Sequence, residues 1–370
     1  MTVDPIGGVW TYALELARAL EPYGIEIAIA SMGGRLSREQ YEQVVARKNL
    51  RLFESAYRPE WADAPWSDVD RAGDWLLQIA NCFHPDLIHL NGYCHAALSW
   101  DLPVLVVGHS CVLSWWRAVK GDDAPAQYGE YRARVAAGLA AADLVVAPSR
   151  AMRDALQFHY NANTDCIVIL NGRDARLFSP AEKLPLIFAC GRIWDEAKNF
   201  QILDRVAPQV EWRITVAGDT RHPSGEEIAL DNLYYVGKLS GTGIAQQFAR
   251  AAIFVLPVRY EPFGLSALEA ALSGCALVLG DIPSLREIWG DAAIFVSPDD
   301  AGGLSRALND LIADPQLRET LGNRARARAL RFSPQRMAQE YLEAYRDCIR
   351  RKLPLMADTA PPQLEQEVAA

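Results

Sequence analysis

The strongest constraint on the fold is an alternation that runs through the whole chain. Short apolar runs rich in β-forming residues are separated by longer stretches with helical periodicity. This pattern is typical of βαβ units and predicts an α/β protein with parallel sheets. The candidate strands of the first half are residues 25–31, 50–55, 86–90, 103–109, 143–149 and 166–170, and those of the second half are "PLIFACG", "WRITVAG", "LYYVG", "AIFVLP", "ALVLG" and "AIFVSP".

The alternation forms two successive series, and 370 residues are more than one core of ordinary size accommodates. We therefore predict two doubly wound domains, joined near a segment with Gly, Asp and Pro at residues 171–185. The predicted units are residues 1–172, residues 173–335, a terminal helix at 336–352 and a disordered tail at 353–370. Only Met1 to Asp4 precede "PIGGVW", so either the first strand is very short or the printed chain starts a few residues late.

Composition and charge argue against several classes of protein. The formal net charge is −9 and neither half is basic, which argues against nucleic acid as the main partner. The seven Cys are scattered without a C-x-x-C pair, which favours reduced, buried thiols over a disulfide frame or a zinc site. No signal peptide is visible and no apolar run reaches ~18 residues, so we expect a cytoplasmic protein without a transmembrane segment. Peripheral association with a membrane stays open.

Two acids flank a tight turn in "RYEPFGLSALEAALSGCALVLG", residues 259–280. The segment follows a candidate strand, turns at Pro262 to Gly264 and enters a helix whose first N–H groups can bind an anion. If a diphosphate rests on the N–H groups of Phe263 to Ser266, Glu261 lies on one side and Glu269 on the other, roughly 7 Å into the helix. A nucleotide sugar has this linear order, so Glu261 suits the sugar and Glu269 the ribose. The alternative is a loop acid beside a solvated helix face.

Two cations follow another candidate strand, in "FACGRIWDEAKNF". Arg192 and Lys198 can clamp two phosphates and stabilise the charge that develops when a nucleoside diphosphate leaves. Surface salt-bridging is the alternative. A single site that contains both the cations and the acids is the more economical interpretation.

Metal binding has little support in the sequence. The D-x-D triplet Asp68 to Asp70 follows no strand and precedes a helical stretch, which favours a helix N-cap over a metal site. His89 and His95 lack a third ligand. Because Arg192, Lys198 and a helix end can neutralise a diphosphate, we expect neither a metal nor another cofactor.

The combination of "GRIWDEAKN" with "YEPFGLSALEAALSGCALVLGDIPSLREI" resembles the donor-binding domain of retaining GT-B glycosyltransferases of family 4, the group 1 transferases. The resemblance extends over nearly the whole chain. Its other segments are "DPIGGVWTYALELARAL", "VVAPSRAMRDAL", "VILNGRDARLFSP" and "FSPQRMAQEYLEAY".

This resemblance implies a GT-B fold, with two Rossmann-like domains facing each other across a cleft and a terminal helix crossing back to the first domain. It implies that Arg192, Lys198 and the E-x7-E pair, Glu261 and Glu269, handle a nucleotide sugar. It also implies that His109 faces the donor sugar. The further donor-binding candidates are Gly7, Gly8, Pro262, Phe263, Gly264 and Leu265.

Candidate acceptor residues lie in the first half. Trp115 and Trp116 offer apolar rings for a sugar, the alternative being a core or interdomain wedge. Asn91, Tyr93 and His95 follow another candidate strand, and their alternative is a packed loop.

The resulting hypothesis is a retaining, metal-independent transfer of a hexosyl group from a UDP- or GDP-sugar to a hydroxyl of a saccharide, a lipid-linked glycan or a small metabolite. The departing phosphate would accept the proton of the acceptor. Glu261 as a covalent nucleophile stays open. The alternatives are a GT-B-like nucleotide-sugar 2-epimerase and a non-catalytic Rossmann nucleotide-binding protein, although the G-x-G-x-x-G of a nicotinamide site is absent from the sequence.

Overall fold

The alternation of strands and helices is confirmed by the computed structural model, which describes residues 1–161, 165–222, 225 and 227–358. The strands are β1 Thr2–Val3, β2 Ile27–Ser31, β3 Leu50–Glu54, β4 Ile88–Leu90, β5 Val104–Val107, β6 Leu144–Ala147, β7 Cys166–Val168, β8 Leu184–Arg192, β9 Ile214–Asp219, β10 Tyr234–Tyr235, β11 Ala251–Leu256, β12 Ala276–Gly280 and β13 Ile294–Val296. The helices are α1 Gly8–Leu20, α2 Arg38–Val45, α3 Trp66–Phe83, α4 Val112–Lys120, α5 Gly129–Ala141, α6 Arg150–Tyr160, α7 Phe200–Val206, α8 Gly241–Arg250, α9 Leu265–Leu272, α10 Pro283–Trp289, α11 Ala301–Ala313, α12 Pro315–Ala329 and α13 Pro334–Asp358.

The second half of the chain forms one parallel sheet with the strand order β10-β9-β8-β11-β12-β13 among the described residues. The order reverses between β8 and β11, because the chain first builds outward through β9 and β10 and then returns to the other side of β8. In doubly wound sheets such a reversal opens a crevice at the carboxyl ends of the strands, where ligands bind. The loops after β8 and β11 therefore become neighbours.

The first half follows the same plan. Strands β1 to β3 pair in the order β1-β2-β3, and the others pair in the order β4-β5-β6-β7, again all parallel. Strand β1 is very short, and side-chain bonds join it to β4: the Asn91 backbone N–H donates to Thr2 Oγ1 at 2.9 Å and the Asn91 Nδ2 donates to the Thr2 carbonyl at 2.7 Å. The two strand sets thus meet between β1 and β4, which is the reversal point of this domain.

Helices cover the sheets because the strands are buried on both faces. Helix α1 illustrates the pattern, since its apolar residues recur at helical spacing on the side that faces the sheet. The buried apolar residues of α1 are Trp10, Tyr12, Ala13, Leu16, Ala17 and Leu20. Both halves therefore have the doubly wound architecture that the sequence predicted.

The terminal helix α13 crosses back to the first domain, as predicted. Its buried face joins the core of α1 and the first sheet through Met337, Tyr341, Ala344 and Cys348. The helix is longer than we predicted, because residues 353–358 are helical although we assigned them to a disordered tail. The rest of that predicted tail, residues 359–370, lies outside the described residues.

Three smaller predictions have mixed outcomes. The seven Cys are free thiols and most are buried, as predicted. Asp68 is not a helix N-cap: Pro65 holds that position, and Asp68 sits in the first turn of α3, where its carboxylate accepts a hydrogen bond from the Arg58 N–H at 3.2 Å. The N-cap prediction was wrong because the proline starts the helix earlier than the acid does.

Within the described ranges, no helix combines the length and the apolar character needed to span a membrane.

Candidate active site

The site lies where the loops after β8 and β11 meet. Lys198 ends a short 3-10 turn in the first loop, Glu196–Lys198, and Glu261 lies in the second. The Lys198 Nζ is 2.6 Å from Glu261 Oε2, and the two side chains are only 16% and 15% exposed. The strand order explains this contact between residues 63 positions apart, since β8 and β11 are direct neighbours. The predicted cation and the predicted acid therefore form one buried ion pair.

Asp195 organises the loop after β8. Its Oδ2 accepts from Arg192 Nη2 at 2.7 Å, and its Oδ1 accepts from the Ala197 N–H at 3.0 Å, which starts the turn that carries Lys198. Burial raises the pKa of Asp195, but the charges of Arg192 and Lys198 outweigh it, so the pKa lies below its ordinary value. An ionised Asp195 thus holds Arg192 beside Lys198.

The predicted turn and helix after β11 are present. Gly264 has a φ of 90°, a left-handed conformation that favours glycine, and α9 begins directly after it. Phe263 is buried and packs edge-on against Phe332, which fixes the turn to the core. Glu269 lies inside α9, as predicted, and Glu261 precedes the turn.

The amide groups of this turn already have an acceptor. Glu261 Oε1 accepts from the Gly264 N–H at 3.0 Å and from the Phe263 N–H at 3.5 Å. Burial raises the pKa of Glu261, but Lys198 and these hydrogen bonds outweigh it and hold the pKa below its ordinary value. Glu261 is therefore ionised and occupies the amide groups of the turn that precedes α9. A diphosphate bound at Phe263 and Gly264 would have to displace this carboxylate, which the sequence analysis did not foresee.

Glu269 is part of a buried charge network that crosses the domain boundary. Its Oε1 lies 2.8 Å from Arg173 Nε, and Arg173 Nη1 lies 2.7 Å from Oε2 of Glu15 in α1. Burial raises the pKa of Glu269, and Arg173 partly opposes this. Sequence analysis missed Arg173. The only available signal was a cation in the interdomain segment "NGRD", and its two acidic partners, 158 and 96 positions away, could not be read from the sequence.

The glycine loop of the first domain faces the loops after β8 and β11. Gly7 has a φ of 91°, and a Cβ at this position would lie 3.1 Å from Arg192 Nη1. A Cβ on Gly8 would lie 3.4 Å from Leu265 Cδ1. A side chain at either position would therefore press on groups predicted to hold the donor, and at Gly7 it would also strain the backbone.

His109 follows β5, the direct neighbour of β4. Its Nε2 lies 2.8 Å from Asn91 Oδ1, and the Tyr12 ring meets its ring edge-on with centroids 4.5 Å apart. Burial lowers the pKa of His109 to about 3, so the imidazole is neutral at physiological pH. Of the predicted acceptor residues, Asn91 thus contacts His109.

Two other acceptor candidates are buried and contact backbone carbonyls. Tyr93 is 3% exposed and its hydroxyl donates to the Ser110 carbonyl at 2.8 Å. His95 is 8% exposed and its Nε2 lies 2.9 Å from the Val69 carbonyl. These contacts match the packed-loop alternative, so we leave both residues out of the site.

The tryptophan pair lies in α4 of the first domain, on the side of that helix that faces the second domain. The Trp115 indole donates to Asp195 Oδ1 at 3.2 Å, and Trp116 packs between Trp115 and Tyr128. Trp115 therefore occupies the interdomain position that the alternative described. Tyr260, which sequence analysis missed, strengthens the same contact because its hydroxyl accepts from the Cys111 N–H at 3.1 Å.

Asp4 and Trp61 were also missed, and both lie beside the glycine loop. The Trp61 indole donates to Asp4 Oδ2 at 3.2 Å, and Asp4 Oδ1 accepts from the Ile6 N–H at 2.7 Å. Burial raises the pKa of Asp4 to about 6, against the opposing effects of these hydrogen bonds and of Arg192. Trp61 keeps 43% of its surface exposed.

In the part of the chain that the structure describes, His, Cys, Asp and Glu side chains nowhere form a group of three or more that could hold a metal ion.

Comparison with solved structures identifies the fold. A sucrose-phosphate synthase from Thermosynechococcus elongatus superimposes with a TM-score of 0.77 at 19% identity, covering 97% of this chain and 99% of that one. HepE from Anabaena, solved in complex with UDP-glucose, gives a TM-score of 0.72 at 18% identity, covering 93% and 98% of the two chains. These neighbours are GT-B glycosyltransferases with two Rossmann-like domains, so this chain has the GT-B fold.

Comparison of sequences identifies the family. The model described as "Glycosyltransferase Family 4" matches residues 6–177, and the model described as "Glycosyl transferases group 1" matches residues 184–314. A glycogen synthase of Mycobacterium tuberculosis is 26% identical, covering 87% of this chain and 86% of its own. A D-inositol 3-phosphate glycosyltransferase of Paenarthrobacter aurescens is 26% identical, covering 93% of each chain. The chain thus belongs to the group 1 glycosyltransferases of family 4, and its activity is that of a glycosyltransferase.

Proposed function

We propose that this glycosyltransferase moves a hexosyl group from a nucleoside diphosphate sugar, UDP- or GDP-linked, to an acceptor hydroxyl with retention of the anomeric configuration. The observation that carries the proposal is the buried pair of Lys198 and Glu261 at the reversal point of the second sheet. A cation, a carboxylate and a helix start converge there, and each suits one part of a nucleotide sugar. The HepE structure, solved in complex with UDP-glucose, supports a donor of this class.

Donor binding in this proposal is an exchange of partners. The diphosphate pairs with Lys198 in place of Glu261 and accepts from the turn amides, such as that of Gly264, that now donate to Glu261. Glu261 then accepts hydrogen bonds from hydroxyls of the sugar, and Glu269 accepts from the ribose while it keeps its contact with Arg173. Lys198 gains the diphosphate as its counter-ion and Glu261 gains hydroxyl donors from the sugar, so neither buried group is left without a partner.

Transfer follows from the same arrangement. The glycosyl–phosphate bond breaks with oxocarbenium character, and Arg192 and Lys198 stabilise the negative charge that grows on the departing diphosphate. The acceptor oxygen bonds to the anomeric carbon on the face that the diphosphate leaves, and its proton passes to a phosphate oxygen. Neutral His109 suits hydrogen bonding to sugar hydroxyls better than proton abstraction, since its pKa of about 3 makes it a weak base.

The acceptor is a saccharide, a lipid-linked glycan or a small metabolite held by the first domain. Trp116 and the exposed ring of Trp61 offer apolar surface for a sugar ring.

The test of the whole proposal is incubation with UDP- and GDP-hexoses and a panel of acceptors, with detection of nucleoside diphosphate and of the glycosylated product. A new α-linkage formed from an α-linked donor supports retention. Release of a free 2-epimerised sugar nucleotide without any requirement for an acceptor would support the epimerase alternative instead.

The first prediction concerns the phosphate clamp. Lys198→Ala should lower the transfer rate by roughly 100-fold, about 3 kcal/mol of transition-state stabilisation, because one preorganised cation is lost from the departing phosphate. Steady-state kinetics with the donor at saturation measure this.

Lys183→Ala is the matched control for this substitution. Lys183 is also a partly buried lysine of the second domain, but its Nζ donates to backbone carbonyls such as that of Ser273, at 2.7 Å. It should lower the melting temperature while its folded fraction keeps the native rate. Near-native turnover by the Lys198→Ala variant would contradict the clamp.

The second prediction concerns metals. Transfer should continue in excess EDTA, because Arg192, Lys198 and the start of α9 supply the positive charge that an ion would supply. The measurement is the rate before and after dialysis against the chelator. Loss of activity with full recovery on adding Mn²⁺ would overturn metal independence.

The third prediction separates the two glutamates. Glu269→Ala removes a partner of the ribose and should weaken binding of the free nucleoside diphosphate and of the donor alike. Glu261→Ala removes a carboxylate that competes with the nucleotide for Lys198 and the turn amides, so it should not weaken binding of the free nucleotide. It should reduce transfer, because sugar contacts that tighten in the transition state act on the rate. Calorimetric titration with the bare nucleotide, beside the transfer rates, measures both effects.

The isosteric changes Glu261→Gln and Glu269→Gln control for lost packing, since both side chains are mostly buried. Equal weakening of nucleotide binding by Glu261→Ala and Glu269→Ala would show that the order of sugar, phosphates and ribose along this segment is wrong.

A further inference from the structure

The amide of Asn91 has a fixed orientation. Its Nδ2 donates to the Thr2 carbonyl at 2.7 Å, and the Asn91 backbone N–H donates to Thr2 Oγ1 at 2.9 Å. A carbonyl oxygen can only accept, so the atom that faces Thr2 must be the amide nitrogen. The amide oxygen therefore points the opposite way, toward His89 and His109.

This orientation decides which nitrogen of His109 carries the proton. Asn91 Oδ1 lies 2.8 Å from His109 Nε2 and, being an acceptor, requires that nitrogen to donate. A neutral imidazole has one N–H, and the hydrogen bond made by one nitrogen sets the state of the other. The Nδ1 of His109 then keeps a lone pair.

We propose that Asn91 is a positioning residue that holds His109 as the Nε2–H tautomer, so that Nδ1 accepts a hydrogen bond from a sugar hydroxyl. The inference rests on the proposed function for the identity of that hydroxyl. It replaces the expectation that Asn91 faces the acceptor directly.

The surrounding groups are consistent with this arrangement. His89 Nδ1 lies 2.9 Å from the Tyr345 hydroxyl in α13, and His89 Nε2 lies 3.3 Å from Asn91 Oδ1. The phenol can donate to Nδ1 while Nε2 donates to the amide and to the Tyr12 hydroxyl, which lies 3.4 Å from Nε2. These contacts are compatible with the same tautomer for His89 as for His109. The crossing helix thus reaches the proposed catalytic histidine through two hydrogen-bonded side chains.

The titratable groups that face this cluster do not favour a cation. They are Tyr12 of α1, His89 of β4, Tyr341 and Tyr345 of α13, and the amino group of Met1. Burial keeps the pKa of each tyrosine above its ordinary value, so the phenols stay neutral. The pKa of His89 is lowered, by burial first and by the Met1 amino group second. The neutral tautomer of His109 is therefore set by hydrogen bonding to Asn91 rather than by an adjacent carboxylate.

Two substitutions test the inference with the full chain labelled with ¹⁵N-histidine. Asn91→Leu keeps a similar volume and removes the acceptor, so His109 should become a mixture of tautomers and transfer should fall roughly 10-fold, the effect of about 1.4 kcal/mol. Asn91→Asp places a carboxylate beside Nε2, which favours the imidazolium and raises the pKa of His109. Its transfer rate should then fall as the pH is lowered through that raised pKa, whereas the native rate should show no such step. His109→Ala identifies the ¹⁵N signals.

Asn49→Leu is the matched control, because Asn49 is 9% exposed and its Nδ2 donates to the Ala17 carbonyl at 3.0 Å. It should lower the melting temperature and leave the signals of His109 and the rate of the folded protein unchanged. If Asn91→Leu changes only the melting temperature and the His109 signals stay those of the Nε2–H tautomer, the inference is overturned.

The ¹⁵N spectra need no substrate, so they judge the tautomer even if the proposed reaction is wrong. A native His109 that is protonated at Nδ1 in the spectra would also overturn the inference, whatever the assays of transfer give. Failure of transfer with every donor, together with the expected spectra, would instead count against the proposed function alone.

Discussion

The ion pair between Lys198 and Glu261 is the interaction on which the proposed donor site depends. Both charges are mostly buried, and a buried charge without a partner costs several kcal/mol. Each residue therefore fixes the loop of the other, and Glu261 also accepts from the turn that precedes α9. The two post-strand loops are held in place before any ligand arrives. This preorganisation lowers the entropy that binding would otherwise lose.

A second set of contacts relates the two domains to this site. Arg173 links Glu269 of the donor segment to Glu15 of the first domain, and the Trp115 indole reaches Asp195, which holds Arg192. Residues that we assign to the donor are thus linked to the opposite domain, Glu269 through Arg173 and Arg192 through Asp195. Substitutions in this network would change both binding and the contact between domains, which is why the proposed experiments include a control variant for each substitution.

Much of the fold could be predicted because its signals are local. Alternating apolar runs indicate parallel strands, and the loops after them contain the residues that the two reversal points bring together. The spacing of Glu261 and Glu269 is likewise a property of one segment. The predictions for the end of α13 and the N-cap of α3 were wrong, because helix ends depend on capping and packing that a periodic pattern does not encode.

The pairing of polar side chains could not be predicted, because it depends on distances between elements far apart in sequence. The sequence offered Arg173 as a cation in an interdomain segment and Asn91 as a polar residue after a strand. Only the folded chain places Arg173 between two carboxylates and turns the Asn91 oxygen to His109. Tyr93 and His95 illustrate the converse, since residues with suitable chemistry after a strand are buried against backbone carbonyls.

The most direct test of the donor site is the melting temperature of the intact protein with UDP, GDP or ADP, and with the matching nucleosides. At least one nucleoside diphosphate should stabilise the native protein, by about 2.7 kcal/mol at 100 times its dissociation constant, while its nucleoside does much less. The Lys198→Ala variant should lose most of this stabilisation. If no nucleoside diphosphate raises the melting temperature, or if the variant gains as much as the native protein, the loops after β8 and β11 do not form the diphosphate site.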